Sequence, residues 1–521
     1  MIEPQQRIDR LCRLLALAVA TAAFALRFKG VWFGYPPLAM HPDEGYLVYR
    51  ALRIIQLGDL NPRFFNYPTL NLYLFAILFE GVALWNRLIL GSPNVAGMPV
   101  MDFFIAARIL VVFMSTATIY VTYEMGRRVI HPVAGLAAAT LIAPAFLHVS
   151  NSFVATVDSS LALWSSLAVL MSVLIYADGA RRHYYVLSGV FAGLALGSKY
   201  TGLLSVVPLI IAHLAVTKRN ALLNKNFVLG LLAVPITFVL TTPYAVLDYE
   251  SFRASVSFEQ AHYSTGHAGA ESSTGTSFLP YAKLLALDGY GVLPTLLFLG
   301  GVIWLSVKDY RMALILLGFP LSLFLFVGGY KVLFMRNLVA IVPFLALCGG
   351  ILLYALLSWL KNWVSGRLST LWGSVTAYGL VGILLCVSVS GQLVRSCRYI
   401  HLINLPDTRV ASLLWITKNL PPGSRIGREH YTPPVEKLTD DYEVVYLGYY
   451  GLTRFPQSVA HLDYVVLSST DYDRFISSPE DYPREAELYQ TFFAENQLVK
   501  EFVPDSVTLG GPTICIYRVA R

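Results

Sequence analysis

Two adjacent carboxylates, Asp43 and Glu44, follow the first apolar run in the stretch Met40-His41-Pro42-Asp43-Glu44. Pro42 suits the first turn of a helix, which puts both acids at the positive end of its dipole, where the ionised form is favoured. An ionisable pair beside hydrocarbon marks a functional site by default. The plainer account is a capping cluster, because Asp and Glu are common in first turns. Asp158 stands between two apolar runs, where a helix cap would explain it equally well. Cations face these acids. Lys199 lies in Gly193-Leu-Ala-Leu-Gly-Ser-Lys199-Tyr200-Thr201-Gly202, whose glycines would let a phosphate approach. A lone lysine there could instead snorkel to headgroups. Lys331 and Arg336 fall on the face where the positive-inside rule disfavours them, so they suggest an anionic ligand or a lipid headgroup. Arg108 opens a span amid apolar residues and reads as the partner of a carboxylate or a phosphate.

Carboxylates facing cations across a membrane-embedded cavity suit displacement at a sugar carried on a lipid phosphate. The leaving phosphate needs positive charge and the acceptor hydroxyl needs a base. A carboxylate base contributes roughly 10²–10⁴-fold, and preorganised charge at the leaving group contributes more. Asp43, Glu44 and Asp158 are therefore the candidate catalytic residues, and Lys199, Arg336, Arg108 and Lys331 the candidate phosphate ligands. His41, Tyr67, Tyr200, His262 and His267 are candidates for contact with the substrate. Glu259 and the two last histidines lie in the loop 244–289, whose Gly/Ser/Thr-rich end reads as a mobile lid. Two histidines five apart with no third ligand make a weak metal signal.

The elements that must position these residues are membrane helices. Charged types make up only 14% of the 521 residues and hydrophobic types 56%, where a soluble domain carries about 25% charge. Mean hydropathy is +0.58. The net charge of +7 is therefore read by position, and no basic run with interleaved aromatics points to nucleic acid. Apolar runs near 14–28, 105–125, 133–149, 160–176, 184–197, 201–216, 227–242, 291–307, 312–328, 338–358 and 371–391 read as about eleven spans. Arg127-Arg128, Arg181-Arg182, Lys218-Arg219, Lys308 with Arg311 and Lys361 with Arg367 follow every second span. With the basic N-terminus they place one face in the cytoplasm. The loop 29–104, Asp158, Lys199, the loop 244–289 and everything after 392 then lie outside. Leu70 to Leu90 would spoil that count if it crossed, so it reads as an interfacial or re-entrant helix. Gly45 to Leu57 reads as an amphipathic surface helix ended by Gly58. The N-terminal run resembles a signal peptide and is expected to stay as an uncleaved anchor.

After about 394 the composition changes, which divides the chain into a membrane domain, 1–394, and an extracytoplasmic α/β domain, 395–521. Val410 to Leu420 and Glu485 to Asn496 read as helices; Tyr442 to Leu447, Tyr464 to Leu467 and Ile514 to Val519 read as strands. The five cysteines show no metal spacing; Cys397 and Cys515 could pair, or both remain thiols.

Several motifs now fall into a familiar order: Pro42-Asp43-Glu44, Gly58-Asp59-Leu60, Tyr67-Pro68, Arg108, Gly126-Arg127-Arg128, Asp158, Gly197-Ser198-Lys199-Tyr200-Thr201-Gly202, and Arg336 with Pro343. Over about 1–350 the chain resembles membrane glycosyltransferases of the GT-C fold, nearest the protein O-mannosyltransferase and lipid A aminoarabinose transferase group. The resemblance implies a polyprenyl-phosphate-linked sugar donor, the lipid bilayer, and an extracytoplasmic protein, lipid or glycan acceptor. It implies Asp43 as base, Glu44 and Asp158 assisting it, and Lys199, Arg108 and Arg336 on the phosphate, with inversion in one displacement. Relatives carry a Lys or an acidic-His cluster before Pro-Pro in the first outer loop. Phe65-Asn66-Tyr67-Pro68-Thr69 stands here instead, which throws weight onto Lys199 and Arg336. No obligatory metal is expected, although some GT-C enzymes use a divalent ion at the acidic motif. A bacterial inner membrane is the favoured setting, since no retention signal ends the chain. The rival reading is a transporter or flippase for a lipid-linked or anionic solute; no internal repeat supports it.

Overall fold

A computed structural model describes residues 4–34, 41–91, 97–217, 223–266, 268–272, 275–365, 370–437, 439–454 and 456–520. The chain divides into two compact units: the first holds the described residues up to 31 and from 41 to 398, the second residues 32–34 and those from 399 on, so the last turn of the helix ending at Ile403 passes into the second.

The first unit is helical. It runs through α1 (Pro4–Phe28), α2 (Pro42–Leu57), α3 (Leu70–Leu90), α4 (Val100–Val129), α5 (Pro132–Ile142) and α6 (Phe146–Ser150). Next come α7 (Asp158–Ala177), α8 (Arg182–Ser198), α9 (Val206–Val216), α10 (Lys225–Thr241), α11 (Tyr244–Leu247) and α12 (Tyr249–Thr265). It closes with α13 (Phe278–Leu284), α14 (Val292–Lys308), α15 (Tyr310–Gly328), α16 (Val342–Ser365) and α17 (Thr370–Ile403). Seven stretches among the described residues are long and apolar enough to cross a membrane, or eight if the bent pair Phe278–Gly289 and Val292–Lys308 counts as one. The expected runs at 201–216 and 227–242 are helices too, but shorter. Leu70–Ile89, expected as interfacial, has the length and apolarity of a span.

Local rules account for α2. Pro42 opens it and the His41 imidazole accepts from the Asp43 backbone N–H at 3.3 Å, so the cap is His41 and the two acids are left for other partners. Gly58 closes it at φ 66°, where a side chain would be strained. Its apolar face packs on α3 and α4: Leu47, Val48, Ala51 and Ile54 are buried with Phe75, Phe79, Phe103 and Phe104. The polar stripe is partly spent as well, since the Arg50 guanidinium stacks 3.9 Å from the Phe64 ring. The loop 244–289, expected as a mobile lid, is largely helical, with α12 its longest element. Asn61 donates to Asp248 at 2.7 Å and Phe65 N–H to Ser255 Oγ at 3.4 Å, which tie α12 to the segment after α2.

The second unit is an α/β sandwich. Its helices are α18 (Thr408–Asn419), α19 (Gly451–Arg454), α20 (Ser469–Ile476) and α21 (Pro483–Glu495). Its strands are β1 (Arg425–Glu429), β2 (Glu443–Gly448), β3 (Tyr464–Ser468), β4 (Gln497–Phe502) and β5 (Ile514–Arg518). The sheet order is β2-β1-β3-β5-β4, with β1 parallel to β2 and β3, and β5 antiparallel to β3 and β4. The three expected strands and both expected helices form. Sequence reading missed β1, whose Arg428 and Glu429 disguise a buried interior strand, and β4, a polar edge. Cys397 and Cys515 are both free thiols.

Candidate active site

Asp43, Asp158, Lys199 and Arg336 come from four separate places in the sequence and form one cluster. Asp158 is the first residue of α7, yet it caps nothing there: the cap position is Val157, without a side-chain bond. Instead its Oδ1 accepts from Lys199 Nζ at 2.8 Å. Lys199 ends α8 with extended backbone (φ −150°, ψ 140°), which turns its side chain inward rather than along the helix. Its ammonium is buried and donates a second bond, also 2.8 Å, to Asn337 Oδ1. The neighbouring residue, Arg336, sits in the 3₁₀ turn Met335–Ile341 that leads into α16. Its Nη1 lies 2.9 Å from Asp43 Oδ2, close enough to neutralise it but without the alignment of a hydrogen bond. The Arg336 guanidinium also stacks on the Phe334 ring at 4.5 Å.

The glycines around Lys199 do a different job from the one expected. Gly193 and Gly197 let α8 pack against Thr237 and Thr241 of α10, and Gly202 lies against the Ala195 backbone. They permit close helix packing.

Glu44 is separated from this cluster by its burial. Arg108 grips it with two bonds, Nε to Oε1 at 2.8 Å and Nη2 to Oε2 at 2.7 Å, with both side chains fully buried. Arg108 Nη1 also donates to Val31 O, and Glu44 Oε1 accepts from the Ala155 backbone N–H at 2.8 Å. This pair joins the end of α1, α2, α4 and the turn before α7. Arg108, expected on a phosphate, is committed to a carboxylate. Lys331 also goes elsewhere: it pairs with Glu271 at 2.9 Å, beside the bridge between Glu271 and Val332.

The other expected contacts divide. Tyr67 is near the cluster, and burial raises its phenol well above the ordinary value despite the opposing charge of Arg336. Burial likewise lowers His41, against the charges of Asp43 and Glu44, in keeping with an imidazole that accepts rather than donates. The Tyr200 hydroxyl donates to Phe65 O, a bond that holds the chain after α2. His262 is sandwiched against Phe258 and Phe334. His267 lies outside the described residues.

Four residues that sequence reading left without a role belong here. Asn337 accepts from Lys199 and from the Tyr263 hydroxyl (3.2 Å), and its amide donates to the Tyr281 hydroxyl. Asn66 donates to Glu259 Oε1 at 2.6 Å. Glu259 and Tyr263 are four apart on α12, hence on one face. That spacing was the available signal, and the loop reading hid it.

Residues 100–246 match the family described as dolichyl-phosphate-mannose-protein mannosyltransferase. No curated protein matches the chain in sequence. Among solved structures, ArnT from Cupriavidus metallidurans bound to undecaprenyl phosphate aligns at TM-score 0.57 and 14% identity, covering 96% of this chain and 97% of that one. The Archaeoglobus fulgidus oligosaccharyltransferase tethered to an acceptor peptide aligns at TM-score 0.58 and 14% identity, covering 97% of this chain and 74% of that one. AglB from the same organism, with an inhibitory peptide and a dolichol-phosphate, aligns at 0.56 and 12% identity, covering 92% and 72%. With several helices fit to span a membrane and a small sheet domain after them, this chain has the GT-C fold of the membrane glycosyltransferases, as its motifs suggested.

Proposed function

We propose that this protein is a membrane glycosyltransferase that moves a sugar from a polyprenyl-phosphate donor to an acceptor on the extracytoplasmic side, inverting the anomeric carbon. The observation that carries this reading is the convergence of two carboxylate–cation pairs, Asp43–Arg336 and Asp158–Lys199, linked through the adjacent residues Arg336 and Asn337. A donor phosphate is an alternative partner for both cations. As Arg336 turns to it, the unaligned bond to Asp43 gives way and Asp43 becomes the free base. The acceptor hydroxyl gives its proton to Asp43 while its oxygen bonds to the anomeric carbon. The bond from that carbon to the phosphate oxygen breaks, and its electron pair leaves with the polyprenyl phosphate, held by Arg336 and Lys199. Glu44, with Arg108, positions Asp43 and does not touch the substrate. Two features support the reading: the mannosyltransferase match over residues 100–246, and the fold shared with a protein solved with undecaprenyl phosphate.

The test is turnover of a panel of labelled polyprenyl-phosphate sugars by the purified protein beside Asp43→Asn. One donor will be consumed with inversion, and the variant will be slower by about 10²–10⁴-fold. Net retention sinks the single displacement. Equal background for both folded proteins across the panel favours the transporter.

A further inference from the structure

The carboxylates around the site are of two kinds. Asp43 and Asp158 each face a cation, at 2.9 and 2.8 Å, and Glu44 is sealed against Arg108. Glu259 has a neutral partner. Its Oε1 takes the 2.6 Å bond from the Asn66 amide, and among the described residues no Lys or Arg pairs with it. Its side chain is half-buried, and burial raises its carboxyl above the ordinary range, against the Asn66 bond and the charges of His262 and Lys199, while the charge of Asp43 adds to the rise. Its place over the cluster is held at several points: Tyr263, one turn further on, bonds Asn337; Phe252 packs edge-on to Phe65; Ser255 accepts from the Phe65 N–H.

An anion without a cation repels a phosphate. A carboxylate beside a primary amide suits a hydroxyl, because a hydroxyl both donates and accepts. An ionised acceptor takes the proton, and the amide's second N–H can give one back to the oxygen. We propose that Glu259 and Asn66 together bind a hydroxyl of the substrate, donated to the Glu259 carboxylate and accepting from the Asn66 amide. The assignment rests on the glycosyltransferase reading above and extends it from the phosphate to the neutral part of the reactants. Two sources can supply the hydroxyl, the sugar of the donor and the acceptor.

The experiment uses full-length protein, Glu259→Gln and Asn66→Leu, and a donor that the wild type consumes. Transfer to acceptor and slow hydrolysis of the donor by water are followed separately, with binding of undecaprenyl phosphate as a probe that carries no sugar. Each variant will lose about 10- to 100-fold in kcat/KM for transfer, the worth of a hydrogen bond to a charged group. Undecaprenyl phosphate will bind as it does to wild type. Loss confined to transfer and seen in the acceptor KM assigns the hydroxyl to the acceptor; an equal loss in hydrolysis assigns it to the sugar. Transfer within twofold of wild type in both variants overturns the proposal, and so does a matching loss of undecaprenyl phosphate affinity. Wild-type protein that consumes no donor at all overturns the glycosyltransferase reading and this one with it, a result distinct from the other two.

Discussion

Successive residues on a helix point about 100° apart, and at Asp43 and Glu44 that rotation separates chemistry from architecture. Asp43 turns toward Arg336, while Glu44 turns into a dry contact with Arg108 and the Ala155 amide. Removing one member of a buried pair leaves the other uncompensated and costs about 3–5 kcal/mol, whereas replacing both with apolar groups is close to neutral. Glu44→Gln will therefore unfold early in thermal melts, and the doubly apolar Glu44→Leu/Arg108→Met variant will recover most of the loss, together with part of the activity. A stable, inactive Glu44→Gln protein would instead give Glu44 a direct role with the substrate. The acidic dipeptide was legible in the sequence because ionisable residues next to apolar runs are conspicuous. That Glu44 is sealed against Arg108 while Asp43 faces Arg336 was not, because the burial depends on a residue 64 positions away. Glycine flanks misled for a similar reason: small residues serve a ligand and a neighbouring helix alike, and only the packing of α8 on α10 tells them apart.

Among elements, the interior strand β1 carries the sharpest departure from pattern. Glu429, its last residue, is fully buried, and accepts from the Tyr489 hydroxyl at 2.7 Å and the Leu452 N–H at 3.1 Å. Asp471, in the first turn of α20, is buried as well. Burial raises both carboxyls, and the charge of Asp471 raises Glu429 further. Around them stand Tyr431 from the turn after β1, Tyr450 before α19, Arg474 from α20 and Tyr489 from α21, while Arg428 turns to Glu436. An acid whose folded pKa is raised holds its proton more tightly when folded. Its stabilisation is complete below the ordinary carboxylate range and drains away as pH rises through neutrality. The second unit will melt lower at pH 8 than at pH 5 in the full-length protein, and Glu429→Gln will flatten that dependence; a pH-independent wild type refutes it. The alternating strands and the periodic helices of this unit were legible. An interior strand ending in Arg-Glu was not, since charge in sequence reads as exposure. The same bias turned the polar α12 into a loop.

At the scale of the whole chain, the apolar runs made a multi-pass membrane protein plain, and the order of short motifs pointed to its fold. The charge pattern predicts that the loop after α7 and helix α12 lie on opposite sides of the membrane. With Ala180→Cys and Ser264→Cys, both exposed positions, each placed in protein whose five native cysteines are replaced by serine, a membrane-impermeant thiol reagent applied from outside will label the second and spare the first. Labelling of Ala180→Cys from outside would invert the orientation. The paired charges at the site have a kinetic corollary. An empty site whose cations are already held by Asp43 and Asp158 offers an incoming acceptor no free base. On the proposed mechanism a lipid-linked phosphate exchanges those partners first, which predicts a compulsory order, donor before acceptor, to be read from initial-rate patterns. Between turnovers, on this proposal, the two carboxylates and the two cations neutralise one another.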